Sequence, residues 1–527
     1  MATTSLALSR YVESPTRLAG ILVLFTVLFL VFQKIRTALT SPLRKIPGPL
    51  WSHVTHYPLK WAVITGQRTQ FIHALHQKYG PLVRISPREV SCSDGEAART
   101  IHKPNSGFVK TEWYKSFTET DNEGLFDTIN TKKHAARRRL MARAFSKSEI
   151  RARWEPMVHA KARLAVQRIE EECRRAGEAD VFKWWTFLAT DVSGTLMFGE
   201  SFNMLEYGKK NEYIHVLEKV MKSGGIRAEL PLIDNIGKML PIAACQTFFN
   251  ATIKLTQYGT KAVANSRRDK KVGGDETTTI FAQLDPDELA HTAYPLTDAD
   301  INREAGNLIA AGSDTTAVTL TYLTWSVLQR PRLLRALEAE AAAALSPSEP
   351  LTDAALEARC PLLNASINEA LRLYGAAPGS LPRRVPSPSG ATLAGFFVPP
   401  GATVSTQAWT IHRDAAHWQD PETFAPERWL GLPATTAPSS LHFQPFGAGT
   451  RTCLGLHLAL MELRLAMAVF LKELRGRVGL SECMWKDEGL MEVVNFFLIR
   501  PKGEKCMVVV GERQEEEEEV VVVDKRE

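Results

Sequence analysis

No proline falls between residues 297 and 330, and that stretch limits what the chain can become. Thr297 can cap a helix, and Asp298 and Asp300 in its first turn suit the positive end of the helix dipole. A helix of over thirty residues is on the order of 50 Å long, enough to cross an entire domain. The chain has 527 residues, a length that would otherwise suggest several domains. A helix of this reach instead predicts one large, mainly helical domain built around it. Its middle reads Ala311-Gly312-Ser313-Asp314-Thr315-Thr316. The Thr315 hydroxyl can bond the carbonyl of Ala311 and loosen the helix there, leaving room for a small molecule. Asp314 beside it can pass protons. Taken alone, the same residues also suit simple close packing of helices.

Residues 18–32 form an uncharged apolar run flanked by Arg17, Lys34 and Arg36. The run is slightly short for a bilayer of roughly 30 Å, a gap that snorkelling flanks can close. A cleaved signal peptide is the competing reading, but no small-x-small site follows. Basic residues outnumber those upstream on the C-terminal side, which puts the body in the cytosol. The sequence therefore divides into an anchor (1–40), a proline-rich linker (41–50) holding Ile46-Pro47-Gly48-Pro49, a body (51–511) and an acidic, disordered tail (512–527). Two short β-prone runs flanking Ser86-Pro87 predict a hairpin near the start of the body. Frequent proline and glycine over residues 376–445 predict short strands and irregular chain.

A net charge of +6 gives no reason to expect a nucleic-acid partner. The seven cysteines, at 92, 173, 245, 360, 453, 483 and 506, form no C-x-x-C pair and are odd in number, which argues against a disulfide scaffold or a zinc ribbon. One of them has a distinctive setting. In FGAGTRTCLG (446–455), Gly447, Gly449 and Gly455 let backbone approach a flat ligand closely, and Cys453 stands at the mouth of an apolar helix over 456–474. Amide dipoles at that position favour a thiolate.

The ten residues resemble, at every fixed position, the haem-binding signature F-x-x-G-x-R-x-C-x-G of the cytochrome P450 family. Other segments are similar to that family's motifs in the same order. Ala311-Gly-Ser-Asp-Thr-Thr316 resembles its A/G-G-x-D/E-T-T, and Glu369-Ala-Leu-Arg372 its E-x-x-R, followed by Phe424-Ala-Pro-Glu-Arg428-Trp. Lys132, Lys133, His134 and Arg137–Arg139 lie in a basic helix where the family has W-x-x-x-R; here His134 stands at the tryptophan position and Arg138 at the arginine.

The resemblance spans about residues 47–501 and implies the family's mainly α fold with a small β-region behind an N-terminal membrane helix. It implies haem b with Cys453 as the axial iron ligand, and propionates held by His134, Arg138, Arg383 and Arg451, with Arg384 beside Arg383 leaving that choice open. Thr315 would sit beside dioxygen, Asp314 would act as the proton-channel acid, and Glu369, Arg372 and Arg428 would form a structural triad. The reaction implied is insertion of one oxygen atom of O2 into a lipophilic small molecule. Electrons would come from a separate NADPH-cytochrome P450 reductase with its flavins, with cytochrome b5 as a second candidate donor. Phrases such as LYGAAPGSLPR and HRD with PERWL look like microsomal fungal enzymes that tailor secondary metabolites of terpenoid or polyketide type. The expected location is the endoplasmic reticulum membrane, single-pass, with the body cytosolic. A haem-thiolate isomerase or dehydratase, and a non-catalytic haem-binding protein, are the rival functions.

Overall fold

Thr297 closes the start of the long helix with a reciprocal pair of bonds. Its hydroxyl accepts the Asp300 amide at 3.2 Å, and the Asp300 carboxylate accepts the Thr297 amide at 3.0 Å. In the computed structural model, which describes residues 15–118, 123–271, 279–280, 293–344, 351–431 and 441–512, the helix runs Asp298–Leu328 without a break. The expected loosening at 311–316 does not occur. Thr315 Oγ1 does donate to the Ala311 carbonyl at 2.7 Å, and Ser313 and Thr319 bond the carbonyls four residues back in the same way. A carbonyl has two lone pairs, so each accepts a hydroxyl without leaving its place in the helical ladder.

The helices that position the site are α1 (Pro15–Thr40), α2 (Trp113–Thr118), α3 (Thr131–Ala142), α4 (Lys147–Ala176), α5 (Val181–Phe198), α6 (Glu212–Glu229), α7 (Ala251–Lys271), α8 (Asp298–Leu328), α9 (Pro361–Tyr374) and α10 (Leu456–Glu473). Helix α8 packs against α5, α7, α9 and α10. Leu320, Tyr322 and Leu323 in its second half are wholly buried in the main apolar core. Apolar burial on every side is what a proline-free helix of this length needs, since its own propensity would not hold it in water.

A five-stranded mixed sheet, the largest of the four among the described residues, flanks this bundle. Its strands are β1 (Leu82–Ser86), β2 (Glu89–Cys92), β3 (Val109–Lys110), β4 (Ser380–Arg384) and β5 (Thr403–Gln407), in the order β1-β2-β5-β4-β3. The β1–β2 pair is the predicted hairpin, and only β2–β5 is parallel. Along the β3 edge, Lys110 is the register partner of Arg383.

Helix α1 carries a candidate membrane span of 23 residues, Leu18–Thr40, whose most apolar 18-residue window has mean hydropathy 2.3 and no buried residue. At 1.5 Å per residue it reaches about 35 Å, so the extension beyond residue 32 removes the apparent shortfall against the bilayer. It is a candidate membrane anchor. The segment read as a linker is packed: Leu43 and Ile46 are buried among Leu82, Val90 and Val404, and the Arg84 amide donates to the Pro47 carbonyl at 2.7 Å. The acidic run at 515–519 lies outside the described residues.

Candidate active site

The loop before α10 turns so that Cys453 faces an internal cavity of about 380 Å³. The Cys453 amide donates to the Phe446 carbonyl at 2.8 Å, which closes the loop. The side chain has accessible surface, yet it sits deep in the protein, because that surface belongs to the cavity. Burial raises the thiol pKa, while the Gly455 amide and the charge of Arg138 pull it down. The glycines divide the work differently from expectation. Gly447 and Gly455 line the cavity, and a Cβ there would meet nothing closer than 3.9 Å, so the loop offers an open flat face. Gly449 answers a different need. Its φ is +65°, and a Cβ would lie 1.8 Å from the His102 carbonyl, so it is required by neighbouring backbone.

Cations from four parts of the chain converge at one end of the cavity. Arg138 comes from α3, Arg383 from β4, Arg451 from the cysteine loop and Lys110 from β3. Strand alternation settles the choice between neighbours, since Arg383 is buried and Arg384 exposed. The bonds these cations make are to carbonyls: Arg138 to Thr452 at 2.7 Å, Arg451 to Thr128 at 2.8 Å, and Lys110 to Phe126. Arg383 Nε has no partner among the described residues. Among the described residues no carboxylate pairs with any of the four. Burial, with Arg383 nearby, pushes Arg451 down to about 10, and burial with the same two guanidinium groups holds Lys110 well below the usual ammonium range. His134 lies in the same place and is pushed down to about 3 by burial and by Arg451, so it is neutral. Buried cations without counter-ions are costly, and this arrangement suits a ligand that brings carboxylates of its own. A cavity with a thiol on one wall, an open glycine face and a cationic rim that no described carboxylate pairs with fits a haem with its two propionates.

One face of α8 forms the opposite wall, through Glu304, Asn307, Ala311 and Thr315. Asp314 does not reach the cavity. One residue is about 100° of helical turn, and Asp314 faces outward toward Arg500, Glu218 and Lys210. Burial raises its carboxyl pKa above the usual carboxylate range. Of residues 201–235, only Val220 and Met221 line the cavity, because α6 turns its other residues to different neighbours.

Behind the cysteine loop, Glu369 and Arg372 on α9 are fully buried and paired through two bonds of 2.9 and 2.8 Å. Arg428 Nε and the Trp429 indole donate to the same carboxylate at 3.0 and 2.9 Å. Burial alone would raise the Glu369 pKa, but Arg372 and these donors hold it below the ordinary value. The remaining guanidinium donors of Arg372 reach the carbonyls of His412, Pro421 and Thr423. One side chain thus ties α9 to the irregular segment expected at 376–445.

Sequence reasoning did not single out Lys110, Glu304 or Glu462 by name, although all three line the cavity. Lys110 sits in a two-residue strand with no spacing pattern, and only its register with Arg383 brings it in. Glu304 and Glu462 are acids in otherwise helical, apolar-faced runs. Glu462 is buried with no partner for Oε2 among the described residues, and burial raises its carboxyl well above the usual carboxylate range.

The family model described as Cytochrome P450 matches residues 46–501. The chain is 39% identical to the cytochrome P450 monooxygenase stcB of Emericella nidulans over 91% of each chain. It is 38% identical to the cytochrome P450 monooxygenase tazI of Aspergillus terreus, over 95% of this chain and all of that one. Identity to the monooxygenase aflV of Aspergillus parasiticus is 37%, over 91% of this chain and 93% of the relative.

Proposed function

The chain belongs to the cytochrome P450 family and is a haem-dependent monooxygenase, and from that premise we propose that Cys453 is its axial iron ligand and that a lipophilic secondary metabolite, of terpenoid or polyketide type, is its substrate. The observation that carries the assignment is that Cys453 opens onto the same cavity as four cations without a carboxylate between them. Bound there, the haem supplies activation of dioxygen, so that one oxygen atom enters a substrate C–H bond and the other leaves as water, at the cost of two electrons and two protons.

The protein's own groups do the rest. The Cys453 thiolate would ligate the haem iron, and the Gly455 amide and Arg138 favour the thiolate. Arg138, Arg383 and Arg451 would hold the propionates, with Lys110 beside them; neutral His134 has one ring N–H to donate. Thr315 holds a hydroxyl proton at the cavity face of α8, and Asp314 collects protons from the outer side, where Lys210 and Arg500 lie. The apolar wall, in which Phe117, Phe126 and Phe497 contact one another, excludes water and receives the lipophilic substrate. Glu369, Arg372 and Arg428 keep the chain behind Cys453 in register. Electrons come from NADPH-cytochrome P450 reductase through its flavins, with cytochrome b5 as a further donor. Helix α1 holds the protein in the endoplasmic reticulum membrane with the body in the cytosol.

The test is spectroscopic. The reduced wild type should give the carbon monoxide difference band of a thiolate-ligated haem, and Cys453→Ser should lose it, because a hydroxyl is a far poorer donor to iron. A variant that keeps both the band and its activity overturns the ligand assignment.

A further inference from the structure

Arg68 stands between two carboxylates. Its Nη1 lies 2.6 Å from Glu229 Oε1, at the end of α6, and its Nη2 lies 3.8 Å from Glu89 Oε1, on β2. The first contact is a hydrogen-bonded ion pair, and the second is too long to be one. Arg68 opens the helix Arg68–Tyr79, where the positive end of the helix dipole disfavours a cation, so the guanidinium depends on a carboxylate partner. The same Glu229 oxygen accepts the Trp113 indole N–H at 2.9 Å, and the Glu229 carbonyl accepts Lys60. Glu89 is less well served. Among the described residues its carboxylate accepts one hydrogen bond, from the Ser405 hydroxyl at 2.6 Å. Burial raises its carboxyl pKa, while Arg68 and that hydroxyl pull it down. A shift of about 1 Å would bring Arg68 within charge-assisted hydrogen-bonding distance of it.

The better partner sits on the weaker element. Ser223-Gly224-Gly225 precedes the last turn of α6, and helices bend at runs of this kind. The two glycines also allow close packing: an added Cβ would lie 3.0 Å from the Phe117 carbonyl at Gly224 and 3.2 Å from the Phe496 carbonyl at Gly225. Helix α6 therefore crosses the chamber wall at its own softest point, since Phe117 and Phe497 line the cavity. The Trp113 ring stacks on Phe117 at 5.5 Å between centres, so the residue that binds Glu229 also supports that aromatic wall. Arg68, Glu89, Trp113 and Glu229 themselves do not line the cavity.

We propose that Arg68 is a two-position latch on the chamber, exchanging Glu229 for Glu89 as the chamber opens. Closed, Arg68 and Trp113 pin the last turn of α6 over the aromatic wall. Open, that turn swings at Gly224-Gly225 and parts from α2 and residues 496–497, while Arg68 passes to Glu89. The cation is never stranded, which keeps the two states close in energy. The proposal rests on the reading of the cavity as the haem and substrate chamber. It makes Arg68, Glu89 and Glu229 residues that set the rate of ligand passage without touching the ligand.

The test follows clotrimazole, a bulky azole, into the haem-loaded full chain by the shift of the haem absorption band, with carbon monoxide as the small control. Glu229→Gln keeps the shape but loses the charge that holds Arg68, and it should speed association and dissociation alike, by about tenfold. Glu89→Gln still accepts the Ser405 hydroxyl but weakens the second seat, and it should slow both rates by about threefold. The two variants thus move the rates in opposite directions. Clotrimazole affinity and the carbon monoxide rates should hold in both, because neither residue touches a ligand. Trp113→Phe keeps the ring stack, loses only the indole bond and should speed both rates by about threefold; it decides the matter if Glu229→Gln takes up no haem. A wild type that lacks the thiolate carbon monoxide band overturns the reading of the chamber, and this proposal with it. With the band present, unchanged clotrimazole rates in either glutamine variant, rate changes of the same sign in both, or an effect confined to affinity overturns the proposal alone.

Discussion

His412 accepts the Gln444 amide on Nε2 at 2.8 Å while its Nδ1 stands 2.9 Å from the Arg372 carbonyl. An amide must donate and a carbonyl must accept, so the two partners fix the tautomer: Nδ1 carries the hydrogen. Burial pushes the ring down to about 3, which keeps it neutral and preserves that arrangement throughout the physiological range. Gln444 lies nine residues before Cys453. The neutral ring thus links the Glu369–Arg372 pair to the loop that carries the thiol.

Replacing His412 by Ala strands a buried carbonyl and a buried amide. The expected loss is about 2–4 kcal/mol of stability. It should be accompanied by a growing fraction of reduced protein whose carbon monoxide band is not that of a thiolate haem. His412→Asn, which can reach one partner, should recover part of the loss. Urea unfolding and the two bands measure both effects, and an alanine variant with wild-type stability and a full thiolate band would remove the link.

Two truncations locate the true start of the body. A chain starting at Ser41 should come off membranes at least partly and keep its haem, since Ser41 still caps the next turn and accepts from Arg84 at 3.2 Å. A chain starting at Trp51 should be far less stable. It loses the burial of Leu43 and Ile46, each contributing about 1.5–3 kcal/mol, together with the Pro47–Arg84 bond. Equal stability of the two would restore residues 41–50 to the status of a free linker.

Thr315→Ala leaves the Cys453 loop and the cationic rim untouched. It should bind haem and substrate as the wild type does, yet divert reducing equivalents, so that hydrogen peroxide rises and oxygenated product falls. The size of the change follows the general-acid range of roughly 10²–10⁴-fold at most, reduced where Thr316 or water substitutes. Measuring peroxide and product together is sufficient, and identical coupling in both proteins would exclude Thr315 from proton delivery.

Glu304 predicts a pH signature. Burial, with Asp127 nearby, raises its carboxyl to about 7 from an ordinary 4.5. Below about pH 4.5 the folded and unfolded states are both protonated and the group is neutral to stability. As pH climbs to 7 only the unfolded chain ionises, so stability falls by up to about 3 kcal/mol and then levels off. Glu304→Gln removes that slope. The variant should gain on the wild type between pH 5 and 7.5 in urea unfolding of the Ser41 chain, and a constant difference would contradict the shift.

Much of the site was legible because its chemistry depends on short spacings within single segments. The loop around Cys453 and the pair Glu369–Arg372 are both of this kind, as is the hydroxyl run of α8. What stayed hidden depends on tertiary placement. Lys110 enters through strand register alone, and Glu304 is one of several acids on helices until the Leu125 amide docks on it. The choice between Arg383 and Arg384 needed the direction of β4 relative to the cavity. Gly449 was visible as a glycine, but its cause, the His102 carbonyl, lies far away in sequence. Loosening of α8 was expected from composition, and it failed because carbonyls have spare acceptor capacity.

The clamped junction between α1 and the sheet leaves the anchor almost no slack. With α1 in a bilayer, the body is tied to the surface by a short, stiff stem and cannot swing away as a freely tethered domain would. Oily molecules concentrate in bilayers, so for a lipophilic substrate of the proposed kind the bilayer would serve as the reservoir. Encounter then becomes a two-dimensional search at a high effective concentration, set by the stem as much as by the affinity of the chamber.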